Sequence, residues 1–178
     1  MDDEIARLSA RYGRPLFVTE SLPTGAFDPL RSARTGEVAM VLLRKSGRVL
    51  LNTKEFYPDG AFRIPTGGIH PGESVEAALW RETKEETNLE VEVVRFLAVI
   101  TYHTPERPKA FTTYAFLLRE VSGDLKVNDP DERISGWREA DVLELKDVAE
   151  RLAGLEGEWW GWGVFRSVAH RVVGELLT

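Results

Sequence analysis

The sequence contains no cysteine, which excludes disulfides, thiolate-bound zinc and thiol nucleophiles and agrees with a reducing compartment. Long apolar runs are missing too. The longest clean one, Val38 to Leu43, falls far short of the roughly 18 residues a membrane-spanning helix needs. Neither charge sign is in large excess or gathered into a block. Lys and Arg number 23 against 29 Asp and Glu, a formal net charge of -6, so nucleic-acid polymers and anionic membranes are not the expected partners. The opening Met-Asp-Asp-Glu does not resemble a secretory signal, and a cytoplasmic protein is expected. There is no internal repeat and no low-complexity tract.

What is present fits one domain. The chain has 178 residues, 43% of them hydrophobic, enough for a single packed core. Residues 4 to 12 read as a short helix and Leu16 to Val18 as an extended piece. Ser21 to Thr35, rich in Pro, Gly, Ser and Asp, reads as a loop. Val38 to Leu43 and Arg48 to Asn52 predict a hairpin around Lys45-Ser46-Gly47. The short extended segment Phe62 to Ile64 leads into a shaped loop, Pro65 to Gly72, with three glycines and two prolines in eight residues.

Ser74 to Thr87 has good helix formers and no internal Gly or Pro, with Glu73 and Glu76 where the helix dipole favours negative charge. Asn88 follows where a helix often ends in a left-handed residue. Val91 to Tyr102 and Ala110 to Leu118 read as strands joined by a Pro-containing loop. Gly123 to Pro130 is a loop, Ile134 to Trp137 a short strand, Glu139 to Leu152 a helix, and Trp160 to Leu177 a final helix.

The Ser74 to Thr87 helix carries the chemistry. At about 100° per residue, Val75, Ala78 and Leu79 form its inward face. The same stripe continues into Glu82, Glu85 and Glu86. Like charges at these spacings cost roughly 0.2–0.5 kcal/mol per pair even in water, and more when desolvated. Arg81 reaches Glu85, but one guanidinium cannot neutralise three acids, and hard divalent cations prefer such oxygen clusters. Magnesium is expected, with manganese as a substitute. A solvated acidic face is the plainer alternative. Against it stand the continuation of the apolar stripe and the Gly-rich loop before the helix, which can bring backbone close to a phosphate or metal; the helix N-terminus adds a favourable dipole for an anion.

Gly67, then five residues, Glu73, then seven, and Arg81-Glu82-Thr83-Lys84-Glu85-Glu86-Thr87-Asn88-Leu89 resemble the signature box of the Nudix hydrolase family. Thr83 stands in place of an aliphatic residue and Asn88 in place of a glycine, and neither change removes a charged position. The resemblance implies an α/β/α sandwich with a mixed sheet between helices. It covers about Gly36 to Leu152, within a single domain spanning 1–178.

It also implies a role for each residue. Glu82, Glu85, Glu86 and the Gly67 carbonyl would hold divalent ions, Arg81 would orient the acids, and Glu73 would support the helix start. The general base would be Glu82 or Glu86, with Glu132 the best loop candidate and Glu106 behind it. Gly68, in the loop, is a candidate substrate contact.

The implied substrate is a small nucleotide-like molecule with a diphosphate linkage, ADP-ribose or another nucleotide derivative. Pro105, 16 residues beyond Leu89, matches a proline in relatives that hydrolyse ADP-ribose, although turn geometry alone accounts for many loop prolines. Trp160, Val164, Val168, Val172 and Leu176 form a stripe expected to face the core or the partner of a homodimer. Trp162 falls off that stripe and is expected to contact ligand. Two other readings compete: a catalytically silent nucleotide-sensing module, opposed by the full set of box glutamates, and an isoprenoid-diphosphate isomerase, opposed by the missing cysteine.

Overall fold

The computed structural model describes residues 2–26, 34 and 36–178. Helix α1 (Asp2–Tyr12) and edge strand β1 (Leu16–Ser21) precede β2 (Gly36–Leu43), β3 (Val49–Lys54) and the short β4 (Thr66–Gly68). Then come α2 (Val75–Thr87), β5 (Glu90–His103), β6 (Phe111–Ser122), β7 (Ile134–Ala140), α3 (Glu144–Ala153) and α4 (Trp160–Leu177).

These strands form one mixed sheet of seven strands in the order β1-β5-β6-β2-β3-β7, with β4 paired to β2. β1 runs parallel to β5, and β2 parallel to β6. The other pairings are antiparallel.

Alternation along the central strands explains the layering, because successive side chains point to opposite faces. Val38, Met40, Leu42 and Leu50 pack with Leu8 of α1 and Val75, Ala78 and Leu79 of α2. Ala39, Val41, Val49 and Leu51 pack with Leu145, Val148 and Leu152 of α3 and Trp162, Phe165 and Val172 of α4. Both faces are covered, so the strands read as continuous hydrophobic runs. The expected α/β/α sandwich is observed.

Three local expectations change. The strand expected to stop at Trp137 runs to Ala140, because Arg138, Glu139 and Ala140 pair with Leu51, Leu50 and Val49; α3 therefore starts at Glu144, not Glu139. The shaped loop contains β4, whose three residues pair with Glu37, Val38 and Ala39. The segment expected to be loop from Ser21 gives Ser21 to β1, while 27–33 and 35 lie outside the described residues.

Candidate active site

Strand β3 ends with its polar residues facing α2. By alternation Leu50, Asn52 and Lys54 share one face. The Asn52 amide donates to Glu86 Oε2 at 3.2 Å, and Lys54 Nζ lies 3.7 Å from Glu86 Oε1 while ion-pairing Glu132. One carboxylate oxygen each from Glu82, Glu86 and Glu132 lies within 4.8 Å of the others.

Helix termination brings Glu132 there. The last carbonyls of an α-helix have no intrahelical partner. Here the segment after β6 supplies donors: Lys126 N–H to Thr87 O at 3.1 Å and Asn128 N–H to Glu85 O at 2.8 Å. The Asn128 side chain adds a bond to Lys84 O at 2.8 Å. This segment is thereby pinned to the end of α2, and a 3-10 turn over Pro130–Glu132 returns Glu132 to the cluster. Asn88 closes the helix at φ 58°, the left-handed conformation expected of it.

Arg81 organises the other side of the site. It holds Glu73 through two bonds of 2.8 Å, reaches Glu82 at 2.8 Å and Glu85 at 2.9 Å, and donates to the Gly68 carbonyl at 2.8 Å. Hydrogen bonding to Arg81 pulls the Glu73 carboxyl down to about 2 despite some burial. A Cβ at Gly67 would lie 1.9 Å from Glu82 Cδ, so only glycine lets this backbone approach the carboxylate. Arg34 lies against Gly68.

Burial sets the electrostatics. Glu86 is fully buried, and desolvation pushes its carboxyl up to about 8 in spite of Lys54 and Arg63 nearby. Glu82 is raised for the same reason, with Arg81 opposing. Glu132 is also pushed up by burial, but the Lys54 ammonium outweighs this and holds its carboxyl below the usual range. Glu82 Oε2, Glu86 Oε1 and Asn52 Oδ1 are buried acceptors with no hydrogen-bond partner among the described residues. Unpaired buried acceptors of this kind are costly, and oxygen-only clusters suit hard divalent cations.

The structure brings together Arg81, Glu82, Glu86, Glu132, Gly67 and Gly68. Glu85 is set apart: it pairs with Arg81, and its side chain is one-third exposed. Glu106 is fully exposed and accepts from Gly25 N–H at 2.7 Å; Pro105 and His70 are exposed as well.

Two expectations are corrected. Trp162 is 2% exposed, inside the core with its ring 4.6 Å from that of Tyr57, while Trp160 of the supposed packing stripe is 39% exposed. The rest of the expected stripe does face the core, with Val168 and Val172 buried and Val164 and Leu176 packed against it, and the buried face widens to take in Trp162, Phe165 and Ala169. The start of α2 is not open to an anion either, because Glu4 of α1 accepts Val75 N–H at 2.7 Å and Ser74 Oγ accepts Ala77 N–H at 3.1 Å.

Asn52, Lys54 and Arg63 were missed. The signal was two polar residues, Asn52 and Lys54, at alternate positions ending an otherwise apolar strand.

Comparison with known proteins gives the family. The model of the NUDIX domain matches residues 33–159, more than half of the chain. The chain belongs to the NUDIX domain family. It is 32% identical over 117 residues to proteins named RNA pyrophosphohydrolase from Shigella boydii and Escherichia coli. Those matches take in 57% of this chain and 65% of each relative, so the chain spans just under two thirds of their length.

Among solved structures, the fold resembles a MutT NUDIX hydrolase from Burkholderia pseudomallei, with TM-score 0.54 and 22% identity, covering 83% of this chain and all of that one. It also resembles the E. coli ORF135 protein, with TM-score 0.51 and 21% identity, covering 69% and 83%. Among the described residues, no helix is long and apolar enough to cross a membrane.

Proposed function

We propose that this NUDIX-domain protein is a divalent-metal-dependent pyrophosphohydrolase that cuts a diphosphate linkage in a nucleotide-like substrate. The observation that carries this reading is the convergence of Glu82, Glu86 and Glu132 with buried oxygens lacking partners. That donor set fits magnesium or manganese, with Glu82 and Glu86 as ligands and the Gly67 carbonyl beside them. Glu85 serves this reading only if it leaves Arg81. A bound ion would neutralise phosphate charge and lower the pKa of a water.

The residues divide the remaining work. Arg81 fixes Glu82 against Gly67 and ties the helix to the loop through Glu73 and Gly68. Glu132 is the proposed proton acceptor for the attacking water, because among the three clustered carboxylates Lys54 holds it ionised before any cation arrives. Lys54 then faces the substrate's phosphate oxygens as a point charge. Gly68, at the loop, lies where a phosphate would meet backbone.

The test is a turnover screen with magnesium, manganese or chelator. The panel would hold nucleoside triphosphates, ADP-ribose, dinucleoside polyphosphates, nucleotide sugars, NADH and, given the names of the relatives, RNA with a 5′-triphosphate. Metal-dependent cleavage of one class, lost in Glu86→Gln, is the expected result. Silence across the panel would sink the hydrolase reading.

A further inference from the structure

The helix that follows the family-matched residues reaches into the site. Arg166 and His170 of α4 are buried, 3% and 1% exposed. His170 Nε2 accepts the backbone N–H of Ile64 at 2.9 Å, and Nδ1 lies 2.8 Å from Arg166 O. Accepting at Nε2 requires the proton on Nδ1, which then donates to that carbonyl. The Arg166 guanidinium donates to Thr66 Oγ1 at 3.2 Å and to both oxygens of Glu37 at 2.9 and 3.0 Å. Thr113 of β6 also donates to Glu37 at 2.9 Å.

These contacts fall on either side of Pro65. Ile64 and Thr66 lead directly into Gly67, where a Cβ would overlap the Glu82 carboxylate. β4 is three residues long and pairs with β2, so its ladder is short. The Glu37 that Arg166 holds pairs in register with Gly68. From beneath, Arg63 donates to Thr66 Oγ1 at 3.0 Å and to Ile64 O at 2.9 Å. Backbone bonds hold Arg63 to Asn52 and the Pro65 carbonyl to Met40 N–H at 2.9 Å, and side chains of Arg63, Arg166 and His170 hold the Ile64 backbone and the Thr66 hydroxyl between them.

Close packing keeps α4 at the required depth. A Cβ at Gly163 would lie 2.1 Å from Leu152 O of α3, so this helix sits against its neighbour at a distance only glycine allows. Residues 160–177 lie beyond the 33–159 that match the family.

We propose that Arg166 and His170 are positioning residues: α4 clamps the Ile64-to-Thr66 segment and so sets where the Gly67 backbone stands relative to Glu82 and Glu86. The inference rests on the proposed metal-dependent function, since the clamp acts by shaping the cation site. Removing the His170 arm leaves all three carboxylates in place and frees the backbone beside them, whereas removing Arg166 also takes the guanidinium from the buried Glu37 carboxylate.

The experiment compares full-length wild type, Arg166→Met, His170→Phe and His170→Gln. It measures Mn2+ binding alone by calorimetry, and hydrogen exchange of peptides spanning 60–72. Glutamine keeps an acceptor for Ile64 N–H and phenylalanine does not. For His170→Phe, exchange at 64–69 should rise at least tenfold and the Mn2+ dissociation constant at least fivefold. His170→Gln should recover most of both, and Arg166→Met, where it folds, should behave like the phenylalanine variant.

A folded His170→Phe with wild-type Mn2+ affinity overturns the inference, as does glutamine failing as badly as phenylalanine. Wild type that binds no Mn2+ defeats the proposed function and the inference with it. The wild-type control alone distinguishes that failure from the others.

Discussion

Replacing Glu86 by Gln should stabilise the metal-free protein at neutral pH while abolishing its response to metal. The folded-state carboxyl is raised by burial from 4.5 to about 8. A folded pKa above the unfolded one means that the native state binds the extra proton. The advantage is fully present below pH 4.5 and is lost as pH rises through 8. At pH 7 the loss spans about 2.5 pH units, which at 1.36 kcal/mol per unit is on the order of 3 kcal/mol.

Gln cannot ionise and fits nearly the same space, so it escapes this loss. Denaturant unfolding in chelator from pH 4 to 9 should give curves that meet near pH 4.5 and diverge upward, the variant being more stable by about 3 kcal/mol at pH 7. Adding magnesium or manganese should reverse the order, because only wild type gains binding energy. If the variant is less stable in chelator at pH 7 to 8, or if the difference between the two proteins does not change with pH, the assignment of a strained buried acid at Glu86 is wrong.

Lys54→Met removes the ammonium that lies 3.7 Å from Glu86. Mn2+ affinity measured by calorimetry should therefore tighten several-fold while KM for a cleaved diphosphate rises, whereas a residue with only a structural role would not move the two in opposite senses. Gly67→Ala places a Cβ 1.9 Å from Glu82 Cδ. The backbone must shift, costing about 1–3 kcal/mol in an unfolding assay, and turnover should fall at least a hundredfold. Trp162→Ala removes a ring that is 2% exposed, and the expected cost is about 3–5 kcal/mol of stability; a variant of unchanged stability that lost only substrate affinity would restore the ligand-contact reading.

Much of the fold was legible because both sheet faces are covered. Val38 to Leu43 reads as a buried strand from its composition alone, and Ser74 to Thr87 reads as a helix with its start and stop in the expected places. Glu82 and Glu86 were legible as buried because they continue the stripe of Val75, Ala78 and Leu79. Glu85, on the same stripe by spacing, turns toward Arg81 because the guanidinium offers a charge-assisted bond at the exposed edge. Local periodicity cannot decide between those outcomes. Lys54 and Arg166 depend on pairings 78 and 100 residues apart, with Glu132 and Thr66, which no local window carries, whereas Arg63 is held by its near neighbours Tyr57, Ile64 and Thr66. The β7 boundary failed for a similar reason: Glu139 has a helical look, but Leu50 across the ladder gives its backbone a partner.

The segments flanking the family-matched residues are placed to hold the two halves of the site from opposite faces of the sheet. On one face, Glu4 of α1 takes Val75 N–H, and Arg11 and Tyr12 bond Glu76 at 2.9 and 2.6 Å. The first turn of the carboxylate-bearing helix is thus fastened to α1. On the other face, α4 fastens the segment entering Gly67 through His170 and Arg166. What has to be controlled is the gap between that glycine and Glu82, where even one methyl group would overlap. Two elements that must meet so closely gain from being anchored separately, with Arg81 spanning them through Glu82 and the Gly68 carbonyl. Loss of either anchor would loosen the gap without removing a single carboxylate of the acidic cluster, which is why the flanking helices belong to the site's architecture.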